Sequence, residues 1–389
     1  MNRNLAKAFL FKWLVSLHFF AGVLVPFFTE WGRISFTSIM VLQSIFQASV
    51  LLLEVPTGAV ADRLGRKVSM ALGALVAATG MLIYSAWPAF WVFALGEVCF
   101  AAGYALLSGA EEAFVYDTLK AAGREVDSKR ILGRFSALGI TGIMIAGPAG
   151  SWMADLLGLR YVMMAAAAPA ALAALLAFTM DEPPPGDPAT RLRYMGTVRR
   201  GIRDVLASRP LLSLSLDRIV VGVLIFFVIW LNQPLLLELK VPIIWFGWFV
   251  AGFALVQLPV LSAYASLEHL VRGRRRYLVV SAVLAGAGLI ALGFASSAPM
   301  VAALLVLPAA FGLTRGPLLT NYMNKHIASE ARATTLSVIS MAERLAFAVV
   351  YPLVGLLVET SLRSSFVVIG ALVVVFAFLS PVREEHLLD

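Results

Sequence analysis

Long apolar runs separated by short polar turns occupy most of the chain. A helix needs about 20 predominantly apolar residues to cross the hydrocarbon core of a bilayer. Runs of that length predict twelve spanning helices, at 8–29, 36–60, 68–86, 90–116, 132–157, 159–180, 211–238, 243–267, 277–296, 299–323, 334–358 and 363–382. The predicted fold class is therefore an all-α integral membrane protein.

A polar segment at 181–209 separates the first six predicted helices from the last six. It opens with Asp181 and Glu182, followed by three prolines and a glycine, which stop a helix. The predicted domains are an N-terminal six-helix bundle at 1–180, this cytoplasmic linker, and a C-terminal six-helix bundle at 210–389. Later in the linker Met195, Val198, Ile202 and Leu206 recur at spacings of three and four, with arginines between them. This pattern suits a helix on an anionic membrane face. An ordinary solvated connector fits equally well.

The composition supports a lipid environment. Apolar residues make up 60% of the chain and charged residues 14%, whereas soluble domains carry about 45–50% and about 25%. A single cysteine excludes an intrachain disulfide, and the four histidines show no ligand spacing. We expect no metal and no cofactor. No nucleophile–base spacing or phosphate loop indicates an enzyme.

The net charge of +8 follows from membrane topology. Basic residues concentrate in alternate loops, which the positive-inside rule places in the cytoplasm. These residues are Arg63, Arg66, Lys67, Lys120, Arg124, Lys129, Arg130, Arg191, Arg193, Arg199, Arg200, Arg203, Arg209, Arg272, Arg274, Arg275 and Arg276. We predict a protein of the cytoplasmic (inner) membrane with both termini in the cytoplasm, and no binding of nucleic acid.

A polar motif follows the second predicted helix of each half. The first copy is Gly58-Ala-Val-Ala-Asp62-Arg63-Leu64-Gly65-Arg66-Lys67. A weaker copy between Tyr264 and Arg275 lies roughly 200 positions later, as in internally duplicated transporters. The first copy resembles the signature loop of the major facilitator superfamily. The resemblance implies two pseudo-symmetric six-helix bundles, secondary active transport, and a central cavity lined by helices one, four, seven and ten.

The signature loop predicts a conformational latch made by Gly58, Asp62, Arg63, Gly65, Arg66, Lys67 and Asp117. Gly58 would permit close approach of a neighbouring helix. Asp62 would lie near the start of the eleventh helix, capped by Thr334 or Thr335. Arg63 or Arg66 would pair with Asp117. Alternatively, the basic residues of the loop only bind lipid head groups.

The fifth predicted helix contains Gly139, Gly142, Gly147-Pro148 and Gly150. The pattern resembles G-x-x-x-G-P-x-x-G of the bacterial drug/proton antiporter branch, which implies proton-coupled export. Glycines also permit tight helix contact, so plain close packing is the alternative. One departure from that branch is Glu97, which stands where many of its members carry an arginine.

Ionisable side chains inside a bilayer are costly and usually functional. The predicted proton-coupling residues are Glu111 first and Glu97 second, followed by Glu112, Glu343 and Asp217. On a regular helix Glu97, Tyr104, Ser108 and Glu111 share one face. Asp217 lies close enough to Pro210 to sit at the membrane–water interface. The alternative for Glu111 is a structural ion pair with Arg315 or Arg344 of the other bundle, of which Arg315 is preferred.

Further polar and aromatic side chains are candidates for the substrate cavity. They are His18, Tyr104, Ser108, Trp230, Asn232, Gln233 and Arg315. The segment from Trp230 to Pro234 is predicted to interrupt the seventh helix, because a proline leaves backbone carbonyls unpaired. For His18, a hydrogen-bonded packing role is the alternative.

Two functions remain open. The first is proton-driven export of amphipathic drugs or lipophilic metabolites by alternating access. The second is a dedicated carrier, exporting or importing one metabolite such as a sugar, a siderophore or an anionic compound, which Arg315 and Arg344 would suit. The expected partners are a small-molecule substrate, protons and membrane lipids, and we expect a monomer. A membrane receptor would usually add a large soluble domain.

Overall fold

A computed structural model describes residues 3–184, 194–328 and 331–387. Within these ranges twelve helices are long and apolar enough to cross a membrane. We number them α1 to α12: Arg3–Gly22, Phe36–Leu64, Arg66–Ala86, Phe90–Ala121, Glu125–Leu157, Leu159–Phe178, Arg209–Glu238, Ile243–Ser262, Arg274–Leu292, Ala298–His326, Arg332–Thr360 and Leu362–Leu379. The predicted all-α fold with twelve spanning helices is confirmed.

The described residues form two compact units. The first comprises Met1–Arg191 with Pro242–Ala251, and the second comprises Leu192–Val241 with Gly252–Asp389. The domain limits derived from the sequence remain predictions. Residues 185–193 of the predicted linker, which include Arg191 and Arg193, lie outside the described residues.

The linker contains a helix, Tyr194–Ala207, which we call the linker helix. It packs on α11 inside the second unit, because a Cβ on Gly201 would lie 2.9 Å from the Val338 side chain and 3.0 Å from the Thr334 side chain. Only a residue without a side chain allows this approach. Contact of the linker helix with lipid remains a prediction.

Three spans are broken at places that hydropathy does not mark. In α1 the α-helix ends at Val15 and a 3₁₀ turn follows at Phe19–Gly22. In α4 the break lies at Gly109, whose φ of 77° is a left-handed conformation that favours glycine. In α10 a π-helical turn occupies Pro308–Gly312.

The predicted interruption of the seventh helix is wrong in position. The break in α7 lies at Phe227, and Pro234 lies inside the helical segment Val228–Glu238. Asn232 donates hydrogen bonds to the carbonyls of Val228 at 3.0 Å and Ile229 at 2.6 Å. These bonds go to carbonyls of the turn that precedes the proline, and Pro234 does not end the helix.

In the first unit the sixth span is fastened to both ends of the third. At the C-terminal end of α3, Arg160 Nε donates to the Ser85 carbonyl at 2.8 Å. At the other end, the Glu182 carboxylate accepts from the backbone N–H groups of Arg66 at 2.6 Å and Lys67 at 2.9 Å. The two spans are therefore antiparallel, and each charge matches the helix end that it contacts.

The second unit repeats this arrangement. Arg363 Nη1 donates to the carbonyls of Gly293 and Ala295, just after α9. The Glu384 carboxylate accepts from the backbone N–H groups of Arg274 at 3.1 Å and Arg275 at 2.9 Å, at the start of α9. The internal repeat therefore extends beyond the signature loop, to the charged residues that hold the third and sixth spans of each unit together.

Replacing Glu182 or Glu384 by alanine leaves the first N–H groups of α3 or α9 without their acceptor. We expect each change to lower the free energy of unfolding by about 1 kcal/mol, as for other N-terminal helix caps. Thermal unfolding of the detergent-solubilised protein measures the loss. Glu385, whose side chain is 67% exposed, is the matched control. An equal loss in Glu385→Ala would contradict the capping role.

Candidate functional site

A cavity of about 390 Å³ lies inside the first unit, lined by residues of α1, α2, α3, α4 and α6. Five predicted site residues line it, namely His18, Tyr104, Ser108, Glu111 and Glu112. Cavities that hold small organic ligands usually have about 300–1,000 Å³. The cavity is therefore large enough for a small organic molecule.

The cavity contains an ion pair between Lys12 of α1 and Glu111 of α4. The break at Gly109 starts a new helical segment, and Glu111 lies in its first turn. The side chain of Glu111 is 7% exposed and that of Lys12 is 26% exposed. The Lys12 ammonium also lies 5.5 Å from the centre of the Phe135 ring. Lys12 is thus the member of the pair that faces the open part of the cavity.

Lys12 is absent from the residues predicted from the sequence, although a signal for it exists. Between Phe9 and Phe28 it is the only Lys, Arg, Asp or Glu in an apolar run. A lone charge in a spanning helix is a functional candidate by the same reasoning that selected Glu111.

Glu97 is buried and does not line the cavity. Its carboxylate accepts a hydrogen bond from Gln43 Nε2 at 2.7 Å. The prediction that Glu97 shares the cavity-facing stripe with Tyr104 and Glu111 is therefore wrong. Glu97 lies about two turns before Tyr104 in α4, where Gln43 of α2 contacts it.

Four of the residues that line the cavity carry an aromatic ring, namely His18, Phe46, Phe100 and Tyr104. His18 stacks on Phe20 with centroids 5.2 Å apart and meets Phe100 edge-on at 6.3 Å. Phe46 lies 6.0 Å from Phe100 and 5.9 Å from Tyr104. His18 therefore packs among aromatic rings, as its alternative interpretation holds, and also reaches the cavity. Such a wall suits a ligand with a flat or apolar body.

The second unit holds a fully buried ion pair between Asp217 of α7 and Arg315 of α10, and both side chains are 3% exposed. Asp217 is thus buried by protein side chains, and its interfacial depth in the membrane remains a prediction. The second oxygen of Asp217 accepts from Ser380 at 2.7 Å, and Arg315 donates to Ser281 Oγ at 2.6 Å. The preferred Arg315–Glu111 pair is wrong, since each charge is paired within its own unit.

The other predicted residues of the second unit have their own partners or are buried. Glu343 pairs with Arg218 at 2.9 Å, and Arg218 also donates to Thr320 Oγ1 at 2.8 Å. Trp230, Asn232 and Gln233 are all buried in α7. Their part in a substrate site remains a prediction.

The signature loop is organised around Arg66. Its guanidinium lies 3.4 Å from Asp62 and 3.8 Å from Asp117. The predicted pairing with Asp117 is thus present for Arg66, while Arg63 is exposed. Gly65, with a φ of 100°, precedes the first residue of α3, and Lys67 Nζ donates to the Met180 carbonyl at 3.0 Å.

Two details of the predicted latch are wrong. No atom of the described first unit lies within 4 Å of a Cβ placed on Gly58, so this glycine serves no close contact there. The helical part of α11 begins at Arg332 with Ala331 at its N-cap, so neither Thr334 nor Thr335 is the cap. Whether the loop holds the two units together remains a prediction.

The glycines of α5 serve close packing against α1. A Cβ on Gly142 would lie 2.9 Å from the Cβ of Ser16, and one on Gly139 would lie 3.1 Å from Lys12 Cε. A Cβ on Gly150 would overlap the backbone of Phe19. The packing alternative therefore has direct support, and these glycines set the position of the helix that carries Lys12.

Among the described residues, no three His, Cys, Asp or Glu side chains are grouped so as to hold a metal ion. The side chains that line the cavity include an ammonium–carboxylate pair, a second carboxylate and aromatic rings. These can bind a charged group, stack on a flat body and exchange a proton.

The twelve spans and the charged cavity define a multi-pass membrane protein of the transporter class. The family model of the Major Facilitator Superfamily matches residues 9–239 and 228–387. The chain belongs to this superfamily and is a membrane transporter. No curated protein matches it.

Solved structures show the same fold at low sequence identity. The nucleoside transporter NupG has a TM-score of 0.82 and 15% identity, over 97% of this chain and 98% of that chain. A bacterial homolog of the human lysosomal transporter Spinster, inward-facing and occupied, has a TM-score of 0.78 and 17% identity, over 99% and 98%. A D-xylose-proton symporter has a TM-score of 0.72 and 17% identity, over 98% and 97%. These likenesses concern the fold alone.

Proposed function

We propose that the protein is a proton-coupled secondary transporter of small organic molecules that works by alternating access. Glu111 carries the proton, and the cavity of the first unit contributes to the substrate site. The observation that carries this proposal is the carboxylate of Glu111 on the cavity wall, paired with Lys12. An ionisable pair inside a spanning region is costly, and such pairs usually mark a substrate or proton pathway.

We place the protein in the cytoplasmic membrane as a monomer with both termini in the cytoplasm. The basic loops support this orientation. Arg66 of the signature loop lies between Asp62 and Asp117, and this orientation places all three residues on the cytoplasmic side. The latch made by these residues opens and closes the cytoplasmic access to the cavity.

The substrate specificity favoured by the cavity is that of a dedicated carrier for one metabolite. Its volume of about 390 Å³ is near the lower end for small-molecule sites. It also holds fixed charges of both signs close together. Fixed charges in a small site reject ligands that leave them unpaired, which narrows the range of substrates.

Polyspecific export of amphipathic drugs or lipophilic metabolites is the second candidate. The aromatic wall formed by Phe46, Phe100 and Tyr104 favours it, as does the resemblance of the α5 glycine pattern to the drug/proton antiporter branch. The packing role of Gly142 and Gly150 accounts for two of these glycines without export, so this candidate rests chiefly on the aromatic wall.

Proton flux in proteoliposomes tests the proposal. The full chain is reconstituted with an internal pH dye, and lipophilic cations, neutral nucleosides and sugars, and organic acids are added in turn. We expect Glu111→Gln to abolish all solute-dependent proton flux, because glutamine cannot take up a proton. Glu30→Gln, at an exposed position that does not line the cavity, is the matched control and should keep at least half of the flux.

The outcomes separate the two candidates. One chemical class of solute that gives proton flux supports the dedicated carrier. Flux with many unrelated lipophilic compounds, together with their exclusion from expressing cells, supports polyspecific export. Wild-type proton flux in Glu111→Gln would refute the role of Glu111.

A further inference from the structure

We propose that Lys12 and Glu111 form an exchangeable ion pair, and that the substrate is an organic anion whose acidic group binds Lys12 when a proton neutralises Glu111. This inference rests on the proposed function, since it takes Glu111 as the proton site. It adds the chemical class of the substrate and a binding role for Lys12.

The first step is that each half of the chain has an ion pair between its first and fourth spans, with the positions of the acidic and basic residues exchanged. Lys12 and Glu111 belong to the first and fourth spans, and Asp217 and Arg315 to the first and fourth spans of the second half. Each residue has its counterpart roughly 200 positions later, the spacing of the internal repeat. The basic residue of one half thus corresponds to the acidic residue of the other.

The second step is that only one of the two ion pairs, Lys12–Glu111, can be reached from a cavity. Asp217 and Arg315 are sealed, with side chains 3% exposed and further hydrogen bonds to Ser380, Ser281 and the Leu278 carbonyl. Lys12 has an exposed fraction of 26% and lines the cavity. A ligand can therefore replace the carboxylate as the partner of Lys12, whereas Arg315, with a side chain 3% exposed, offers no comparable access.

The third step is charge balance. Lys12 is the only Lys or Arg among the residues that line the cavity, and Glu111 and Glu112 are its only carboxylates. With both glutamates ionised the cavity carries one net negative charge, which repels an anion. A proton on Glu111 brings the net charge of the cavity to zero and removes the direct partner of Lys12, while Glu112 stays exposed. An anion then takes the place of the Glu111 carboxylate beside Lys12, so proton and anion favour the same state.

The remaining neighbours do not alter this balance. The other titratable groups at the cavity are His18 of α1 and Tyr104 of α4. The residues that α2, α3 and α6 contribute to the lining are apolar. From α5, Phe135 and Gly139 pack against Lys12 and bring no charge.

The residues beside the ion pair narrow the chemical class of the substrate further. Phe46, Phe100 and Tyr104 provide apolar and aromatic surface beside the ion pair. A substrate with one acidic group and a flat or apolar body satisfies both parts of the site. Because a singly charged anion and one proton move together, the transport step is an electroneutral symport.

Ligand binding to the purified full chain tests the inference independently of proton flux. The probes are benzoate, phenylacetate and indole-3-acetate, each compared with its neutral amide and its amine analogue. We expect the acids to bind at least tenfold tighter than their amides, and tighter at low pH than at high pH. Lys12→Met should remove the preference for acids over amides, whereas Lys12→Arg, which keeps the positive charge, should retain it.

Glu111→Gln separates the inference from the proposed function. Because glutamine imitates the protonated carboxyl, this variant should bind the acids at high pH as tightly as the wild type does at low pH, while its proton flux is lost. Equal binding of acids and amides, no effect of Lys12→Met, or no binding of any acid at millimolar concentration would overturn the anion proposal. Loss of proton flux in Glu111→Gln would still support the proposed function.

Discussion

Arg315→Met should leave little folded protein. The substitution removes one partner of the buried pair and strands the Asp217 carboxylate among residues of α7, α10 and α12. Breaking a buried ion pair on one side costs about 3–5 kcal/mol, because the remaining charge has neither solvent nor counter-ion. We therefore expect a large loss of monodisperse protein in fluorescence-detected size exclusion and a much lower melting temperature.

A double substitution distinguishes this cause from a simple loss of packing. In Asp217→Asn with Arg315→Met no charge remains buried, so the double variant should be more stable than Arg315→Met alone. Lys12→Met is the matched comparison, because it removes the cation of the corresponding pair in the first unit, where partial exposure of the side chain lets water reach Glu111. Equal destabilisation by Lys12→Met and Arg315→Met would contradict the distinction between an open and a sealed pair.

Gly150→Val should disrupt the contact between α5 and α1. Even a Cβ at this position would overlap the Phe19 backbone, which cannot turn away as a flexible side chain can. Overpacking of this kind typically costs about 1–3 kcal/mol, and it forces the helices apart. Because α1 carries Lys12, transport should fall further than stability does.

Gly133 of the same span is the control for this experiment. Among the described residues, no atom lies within 4 Å of a Cβ at Gly133, so Gly133→Val adds the same side chain in open space. We expect it to keep a near-normal melting temperature and solute-dependent flux. A Gly150→Val variant that transports as well as Gly133→Val would show that α1 and α5 do not need this close contact.

The number of spans and the signature loop were predictable because both depend on local sequence. About 20 apolar residues are needed wherever a helix crosses a bilayer, so hydropathy marks each span without knowledge of its neighbours. The Arg66–Asp117 pair was predictable for a similar reason, since both residues lie at ends of adjacent spans in a familiar motif.

The partners of the charged residues were harder to predict from the sequence. Asp217 follows Pro210 closely in sequence, yet it is buried by Arg315 and Ser380, which come from distant parts of the chain. Glu111 pairs with Lys12 just after the break of α4 at Gly109, and the hydropathy of the sequence marks neither the break nor the pair. Pairing in three dimensions decides these cases, and a helical projection of one span contains no information about it.

The charged caps of α3 and α9 have a consequence for synthesis. The start of α3 is capped by Glu182 and the start of α9 by Glu384, and each carboxylate follows the sixth span of its unit. A growing chain therefore makes these helix starts long before their acceptors. The first unit can complete the contact between Glu182 and α3 while the second unit is still being translated. The third span of each unit stays uncapped until the segment after its sixth span emerges. A ribosome stalled before Glu384 would therefore leave α9 without its cap.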